Sequence, residues 1–260
     1  MSKHLFAIYF ENLDSLLSNK RESESVCFDD ASLKNRITKI LRIKRDEEFI
    51  LFDEIIHARF LLKTTEQKKK AFCAELLNKK ENLAIEPSIT LYLPILKKEA
   101  FEYAIYVAAQ MGVTTITPVI TEKSAKTLPS LERLQKIMIA ACEQSKSFVI
   151  PKLEQPQEFI TAIKFGVGSH PALPRLLRAG SRKICFDENG ATAQKLVNKL
   201  ANNHDGNLII TLGPEGGFSE NEKKALETAG FSFYRLTSTV LRSREAVTVG
   251  LGIVRSFGFI

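Results

Sequence analysis

The stretch NLIITLGPEGGFSENE, Asn207–Glu222, decides the fold of this 260-residue chain. Its apolar run Leu208–Leu212 is short, branched and stopped by Gly213-Pro214, which predicts a buried strand. Ser219 stands three residues before Glu222, and this capping-box spacing predicts that a helix begins there. The glycines between strand and helix allow a backbone to approach a ligand closely. Such loops follow the carboxyl ends of parallel strands, where open α/β sheets bind ligands. An ordinary strand–helix connection is the competing interpretation.

The loop differs from the common phosphate-binding loops. It has no lysine after its glycines, which excludes a Walker A loop, and its spacing of Gly213, Gly216 and Gly217 does not fit G-x-G-x-x-G. Because no cationic side chain lies inside it, the loop suits a ligand bound by backbone groups better than a triphosphate.

Composition narrows the class of protein. The four cysteines are single and widely spaced, which predicts reduced, buried thiols in a cytoplasmic protein, and the dispersed histidines give no metal-ligand pattern. No apolar run reaches membrane-spanning length, and the N-terminus lacks the features of a signal peptide. The net charge of +7 suggests a polyanionic partner. Residues 1–86 carry a net charge of +1 and the remainder +6, so the excess lies with the glycine loop.

Two domains are predicted, 1–80 and 81–260. The first is a small, mostly β unit in which residues 11–25 are expected to be loop. It also contains a predicted helix that begins after Ser32 and carries Arg36, Lys39 and Arg42 mostly off its apolar stripe. In the second domain strands alternate with amphipathic helices, which predicts an α/β fold with a parallel sheet covered on both faces.

Three segments carry a family resemblance. LIITLGPEGGFSENE, RLQKIMIAACEQSKSFVIP (Arg133–Pro151) and LTSTVLRSREA (Leu236–Ala246) resemble the bacterial 16S ribosomal RNA uridine-N3 methyltransferases, which belong to the knotted SPOUT class. The similarity extends over the whole chain, since Ile37–Asp53 resembles the family's N-terminal PUA-like β-barrel. The resemblance implies an RNA-binding barrel in 1–80 and a methyltransferase domain with a C-terminal trefoil knot in 81–260. It also implies S-adenosylmethionine as cofactor, 16S rRNA or the small ribosomal subunit as partner, and a homodimer without metal or membrane.

The resemblance also implies site residues. The cofactor would contact three loops, at Phe186, Leu212, Gly213, Pro214, Glu215, Gly216, Gly217, Phe218, Leu236, Ser238, Val240 and Leu241, and the RNA would contact Arg36, Lys39, Arg42 and Arg133. Leu241 could equally be a core residue. Arg242 is the candidate for stabilising the uridine anion, although it could instead bind Glu245 or a phosphate. Glu215 is a candidate proton acceptor, or it holds the loop by hydrogen bonds.

Some positions depart from the family. The motif after VLR is usually T-E-T-A but here reads Ser243-Arg244-Glu245-Ala246, and Gln110 and Ser147 also differ. Two alternatives to the uridine methyltransferase therefore stay open: a SPOUT enzyme with another target nucleotide, and an RNA-binding relative that has lost activity.

Overall fold

The structure is a computed structural model that describes residues 5–68, 71–165, 181–201 and 206–256. They fall into two compact units. The first comprises residues 1–83 with 142–149, and the second comprises 84–141 with 150–260. Within the described ranges no helix combines the length and apolarity that crossing a bilayer requires.

The first unit is built on one five-stranded sheet. Its strands are β1 (Phe6–Tyr9), β2 (Ser25–Asp29), β3 (Glu48–Phe52), β4 (Ile56–Lys68) and β5 (Ala71–Glu81), and its helical segments are α1 (Leu13–Leu17), α2 (Ala31–Asn35) and a π-helical turn, Arg36–Ile40. The strand order is β1-β3-β4-β5-β2, with β1 and β3 parallel and the other neighbours antiparallel. The described pairings leave β1 and β2 as the two edges. The described strands therefore form an open sheet, and the predicted closed barrel is not confirmed.

The prediction of loop over residues 11–25 is wrong, because α1 and the first residue of β2 lie there. Leu13 and Leu17 are one helical turn apart and both are fully buried. The polar residues around them hide this single apolar turn from a pattern search, and burial against the rest of the unit supplies the stability that a five-residue helix lacks alone.

The prediction that all four cysteines are reduced is also wrong. Cys27 and Cys73 stand opposite each other on β2 and β5 and form a disulfide. They are 46 residues apart in sequence, so only the pairing of the two strands brings them together. Cys142 and Cys185 are free and buried, as predicted.

The second unit contains a parallel sheet, as predicted. Its strands are β6 (Ile89–Pro94), β7 (Thr115–Ile120), β8 (Lys152–Leu153), β9 (Gln157–Glu158), β10 (Arg182–Thr192), β11 (Leu208–Leu212) and β12 (Ser232–Arg235). Its order is β12-β10-β11-β6-β7-β8, with β9 also paired to β7, and every pairing is parallel. The fully buried β11 lies inside the sheet, as its apolar run predicts.

Helices connect these strands. They are α3 (Lys98–Gln110), α4 (Leu131–Ser145), α5 (Phe159–Phe165), α6 (Ala193–Ala201), α7 (Glu220–Thr228) and α8 (Ser243–Arg255). Phe101, Ile105 and Ala108 form the buried stripe of α3, and Leu134 and Met138 that of α4, so the predicted core faces are confirmed.

One buried charge anchors the end of α8. The Arg255 side chain is 5% exposed, and its guanidinium donates to the carbonyl oxygens of Ile85, Pro87, Met111 and Gly112 at 2.6–3.1 Å. Burial lowers the pKa of Arg255 to about 10, so the group is still charged at neutral pH. The four charge-assisted hydrogen bonds offset the cost of desolvating it, and they tie the C-terminal helix to the loops that flank β6 and α3.

Candidate functional site

A cleft of about 540 Å³ lies where β11 and β12 end and where β10 bulges after Phe186. β12, β10 and β11 are neighbours in a parallel sheet, so the loops after β11 and β12 and the bulge of β10 lie at the same edge, where α/β sheets bind ligands. Most of the predicted cofactor residues line this cleft, together with Arg242: Phe186, Leu212, Gly213, Pro214, Glu215, Gly216, Gly217, Phe218, Leu236, Val240 and Leu241. Ser238 is not among the lining residues, whereas its neighbours Thr237 and Thr239 are.

The glycine loop folds back on itself. The Gly217 N–H donates to the Pro214 carbonyl oxygen at 2.9 Å, and Gly217 has a φ of 67°, which favours glycine. A Cβ on Gly213 would lie 3.1 Å from the Gly217 Cα, so the two ends of the loop pack closely. A Cβ on Gly217 would meet no protein atom within 4 Å. The loop therefore leaves its backbone accessible at Gly217, a residue that lines the cleft.

The start of α7 holds the loop in place. The predicted capping box is present: the Ser219 hydroxyl accepts the Glu222 N–H, and the Glu222 carboxylate accepts the Ser219 N–H at 2.8 Å. The other oxygen of this 2%-exposed carboxylate accepts the Glu122 N–H at 2.9 Å, and Ser219 donates to the Glu122 carboxylate at 2.7 Å. Glu222 is therefore fully engaged in joining the loops after β7 and β11.

The loop of residues 236–242 forms another wall of the cleft. Ser243, which the sequence marks only as a departure from the family motif, donates to the Gly213 carbonyl oxygen at 3.0 Å and so ties this wall to the glycine loop. Val240 is 77% exposed and thus stands at the rim, while Leu241 is half-buried. A ligand at this rim would find an apolar side chain already facing solvent.

Two further glycines, which were not predicted from the sequence, permit close packing around the cleft. A Cβ on Gly190 would lie 2.4 Å from the Tyr234 backbone nitrogen, where β10 bulges against β12. A Cβ on Gly250 would lie 2.2 Å from the Phe186 ring, so α8 passes directly over a residue that lines the cleft. Glycine in a helix interior is unfavourable and could have signalled this contact.

The two predicted catalytic residues are both exposed members of the cleft lining. In the described ranges neither the Glu215 carboxylate nor the Arg242 guanidinium has a hydrogen bond or an ion pair. Within the part of the chain that the structure describes, Glu215 thus makes no loop-holding hydrogen bond and Arg242 makes no bond to Glu245, which leaves both groups available to a ligand.

The predicted RNA-binding residues do not gather at this cleft. Arg36 makes two hydrogen bonds to the Glu143 carboxylate, at 2.7 and 2.9 Å, and an oxygen of that carboxylate also accepts the Tyr9 N–H. Arg36 thereby joins parts of the first unit. Lys39 and Arg42 are exposed in the same unit.

Two arginines of the second unit bind carboxylates at its surface. Arg133 binds Glu102 and lowers the pKa of that carboxyl group. Arg244 binds Glu245 and lies over the Tyr103 ring, 5.3 Å from its centroid. Arg244 is not among the residues that line the cleft, whereas Ser243 of the same motif is.

Comparisons with known proteins show the family of the chain. The family model of the RNA methyltransferase domain matches residues 84–255. The chain is 26% identical over 227 residues to ribosomal RNA small subunit methyltransferase E of Aquifex aeolicus, covering 84% of this chain and 90% of that protein. It is 28% identical over 213 residues to the enzyme of the same name from Mesomycoplasma hyopneumoniae, covering 80% and 85%.

A solved structure shares the fold. Ribosomal RNA small subunit methyltransferase E of Neisseria gonorrhoeae, crystallised with S-adenosyl methionine, superposes with a TM-score of 0.75 at 23% identity, covering 97% of this chain and 98% of that one. Because the family model spans more than half of the chain, this protein belongs to the RNA methyltransferase domain family.

Proposed function

We propose that this protein transfers a methyl group from S-adenosylmethionine to N3 of a uridine in the 16S RNA of the small ribosomal subunit. The observation that carries the proposal is the cleft at the ends of β11 and β12 and the bulge of β10, in a chain of the RNA methyltransferase family. The named target and cofactor of the relatives support the rRNA and S-adenosylmethionine assignments.

The cleft residues suit this cofactor. S-adenosylmethionine supplies an electrophilic methyl group on a sulfonium and carries an adenine and an amino-acid group. Leu212 and Leu236 offer apolar surface to a flat ring, and the open space beside the Gly217 Cα lets a ligand approach the backbone of the loop closely. A trefoil knot formed by the segments Phe186–Glu188, Gly213–Phe218 and Leu236–Arg242 is part of the proposal.

The remaining chemistry falls to the residues at the rim. Uridine N3 must lose a weakly acidic proton before it can attack, so the uracil becomes anionic. The Arg242 guanidinium can donate to a uracil carbonyl oxygen, which stabilises that anion. Glu215 is the candidate to accept the proton, since its carboxylate has no other partner in the described residues. Alignment of the two reactants supplies the rest of the rate.

In this proposal the first unit is the PUA-like module that binds RNA away from the reacting nucleotide. Lys39 and Arg42 are its contacts, because they are exposed. Arg36 contributes by holding its part of the unit together through Glu143. We further propose that the enzyme acts as a homodimer.

Two measurements test the proposal. Calorimetry should detect stoichiometric binding of S-adenosylmethionine to the purified protein. Small subunits from a strain that lacks the gene should then accept tritiated methyl groups, and mass spectrometry of their nucleosides should identify 3-methyluridine. Cofactor binding with a different methylated nucleoside would refute the target, and absence of cofactor binding would refute the enzymatic assignment.

A further inference from the structure

One cation of the cleft comes from outside β10 and the two loops that follow β11 and β12. Lys123 lies just after β7, two strands from β11 in the sheet, and its side chain lines the cleft. Its ammonium donates to the Gly216 carbonyl oxygen at 2.9 Å. Its stem packs on the same residue, because a Cβ on Gly216 would lie 2.9 Å from the Lys123 Cδ.

The loop that carries Lys123 is itself held. Thr121 and Ser124 close a turn through a hydrogen bond of 2.7 Å between their hydroxyls. Between them, the Glu122 backbone and carboxylate are bound to Glu222 and Ser219. The Lys123 ammonium therefore lies at the lip of the glycine loop, and the Lys123 side chain has already lost part of its conformational freedom.

The charges of the cleft leave this ammonium without a carboxylate. Lys223 lies 3.8 Å from a carboxylate oxygen of Asp187 and 3.9 Å from one of Glu220. Lys123, Arg235 and Arg242 also line the cleft, and across the described residues none of the three has a carboxylate oxygen within 4.0 Å. Glu188 and Glu215 also line the cleft and have no ion pair among the described residues, so they can balance the net positive charge of S-adenosylmethionine. The cofactor gains little from the three unpaired cations. An anionic ligand accounts for them better.

We propose that Lys123 binds a backbone phosphate of the RNA beside the nucleotide that is methylated. Lysine is a compact charge that suits phosphate, and two of its three N–H donors stay available while one binds Gly216. The Gly216 carbonyl holds the ammonium at the lip before the RNA arrives, which lowers the entropy cost of the contact. This inference rests on the proposed function, because it takes RNA as the substrate of the cleft.

The test replaces Lys123 by Met, which keeps the stem on Gly216 and removes the charge. Lys126→Met is the matched control. Lys126 lies shortly after Lys123 in the sequence and is exposed, but it does not line the cleft. Binding of a 16S rRNA transcript is measured over a range of salt concentrations, and binding of S-adenosylmethionine is measured by calorimetry.

We expect Lys123→Met to weaken RNA binding about fivefold at 0.15 M salt and to reduce the slope of log K against log salt by about 0.7–0.9, the effect of one phosphate. Lys123→Arg should keep the slope. Cofactor affinity should change less than about twofold in every variant, and Lys126→Met should leave the slope within error.

Three results would overturn the inference. An unchanged slope in Lys123→Met would exclude the phosphate contact. An equal loss in Lys126→Met would show that only surface charge matters. A large loss of cofactor affinity with RNA binding intact would show that Lys123 only braces the glycine loop. If the unmutated protein neither binds S-adenosylmethionine nor methylates the RNA, the proposed function fails, which is distinct from these outcomes.

Discussion

The two glycines of α8, Gly250 and Gly252, give a matched test of how closely this helix approaches the cleft. An alanine Cβ at Gly250 would lie 2.2, 2.7 and 2.8 Å from three atoms of the Phe186 ring. Carbon atoms that are not bonded to each other prefer 3.5–4.0 Å, so the ring would have to move by about 1 Å or more. At Gly252 a Cβ would meet nothing within 4 Å.

The expected change in the free energy of unfolding of each variant follows from these distances. Replacing glycine by alanine in a helix interior stabilises it by about 0.8–1.0 kcal/mol, and this gain applies at both positions. Phe186 is 5% exposed on a strand paired on both sides, so overpacking it costs about 3 kcal/mol. We therefore expect Gly250→Ala to lose about 2 kcal/mol of stability and Gly252→Ala to gain about 1 kcal/mol, as inferred from the same two principles.

Urea unfolding followed by far-UV circular dichroism measures both values, since the chain has no tryptophan for fluorescence. Calorimetry with S-adenosylmethionine adds a second readout, because a displaced Phe186 deforms the cleft. Gly250→Ala should bind the cofactor more weakly, whereas Gly252→Ala should bind it normally. Equal stabilities of the two variants would refute the close approach of α8 to β10.

The other predictions concern the site and the thiols. Arg242→Ala should lower kcat about a hundredfold or more, the scale for losing one such donor, with cofactor affinity unchanged; a raised KM at constant kcat would assign Arg242 to phosphate binding instead. Gly217→Val should abolish cofactor binding while the far-UV spectrum persists, because its φ of 67° is strained for a branched residue; normal binding by a folded variant would contradict the role of the loop. Burial raises the pKa of Cys142 to about 12 and that of Cys185 well above its usual value, so both thiols stay protonated and should resist iodoacetamide at pH 8 until urea is added. Modification of either thiol in the folded protein would contradict this.

Local signals in the sequence were sufficient to predict the strand and the helix on either side of the glycine loop. The apolar run of β11 and the Ser219–Glu222 spacing concern neighbouring residues, and backbone hydrogen bonds over a few residues determine the outcome. The alternation of strands and helices likewise predicted the parallel sheet. By contrast, α1 owes its existence to the burial of Leu13 and Leu17, which periodicity over five residues cannot reveal.

The sequence by itself determined that a glycine loop follows a buried strand in an α/β domain, and the family resemblance supplied most of the residues that line the cleft. Only the tertiary structure decided that β12, β10 and β11 lie side by side, that Lys123 reaches Gly216 from the end of β7, and that Cys27 faces Cys73. The physical reason is that capping and strand formation depend on neighbours in the chain. Sheet order and side-chain contacts across 46 or 93 residues depend instead on the burial of the whole core.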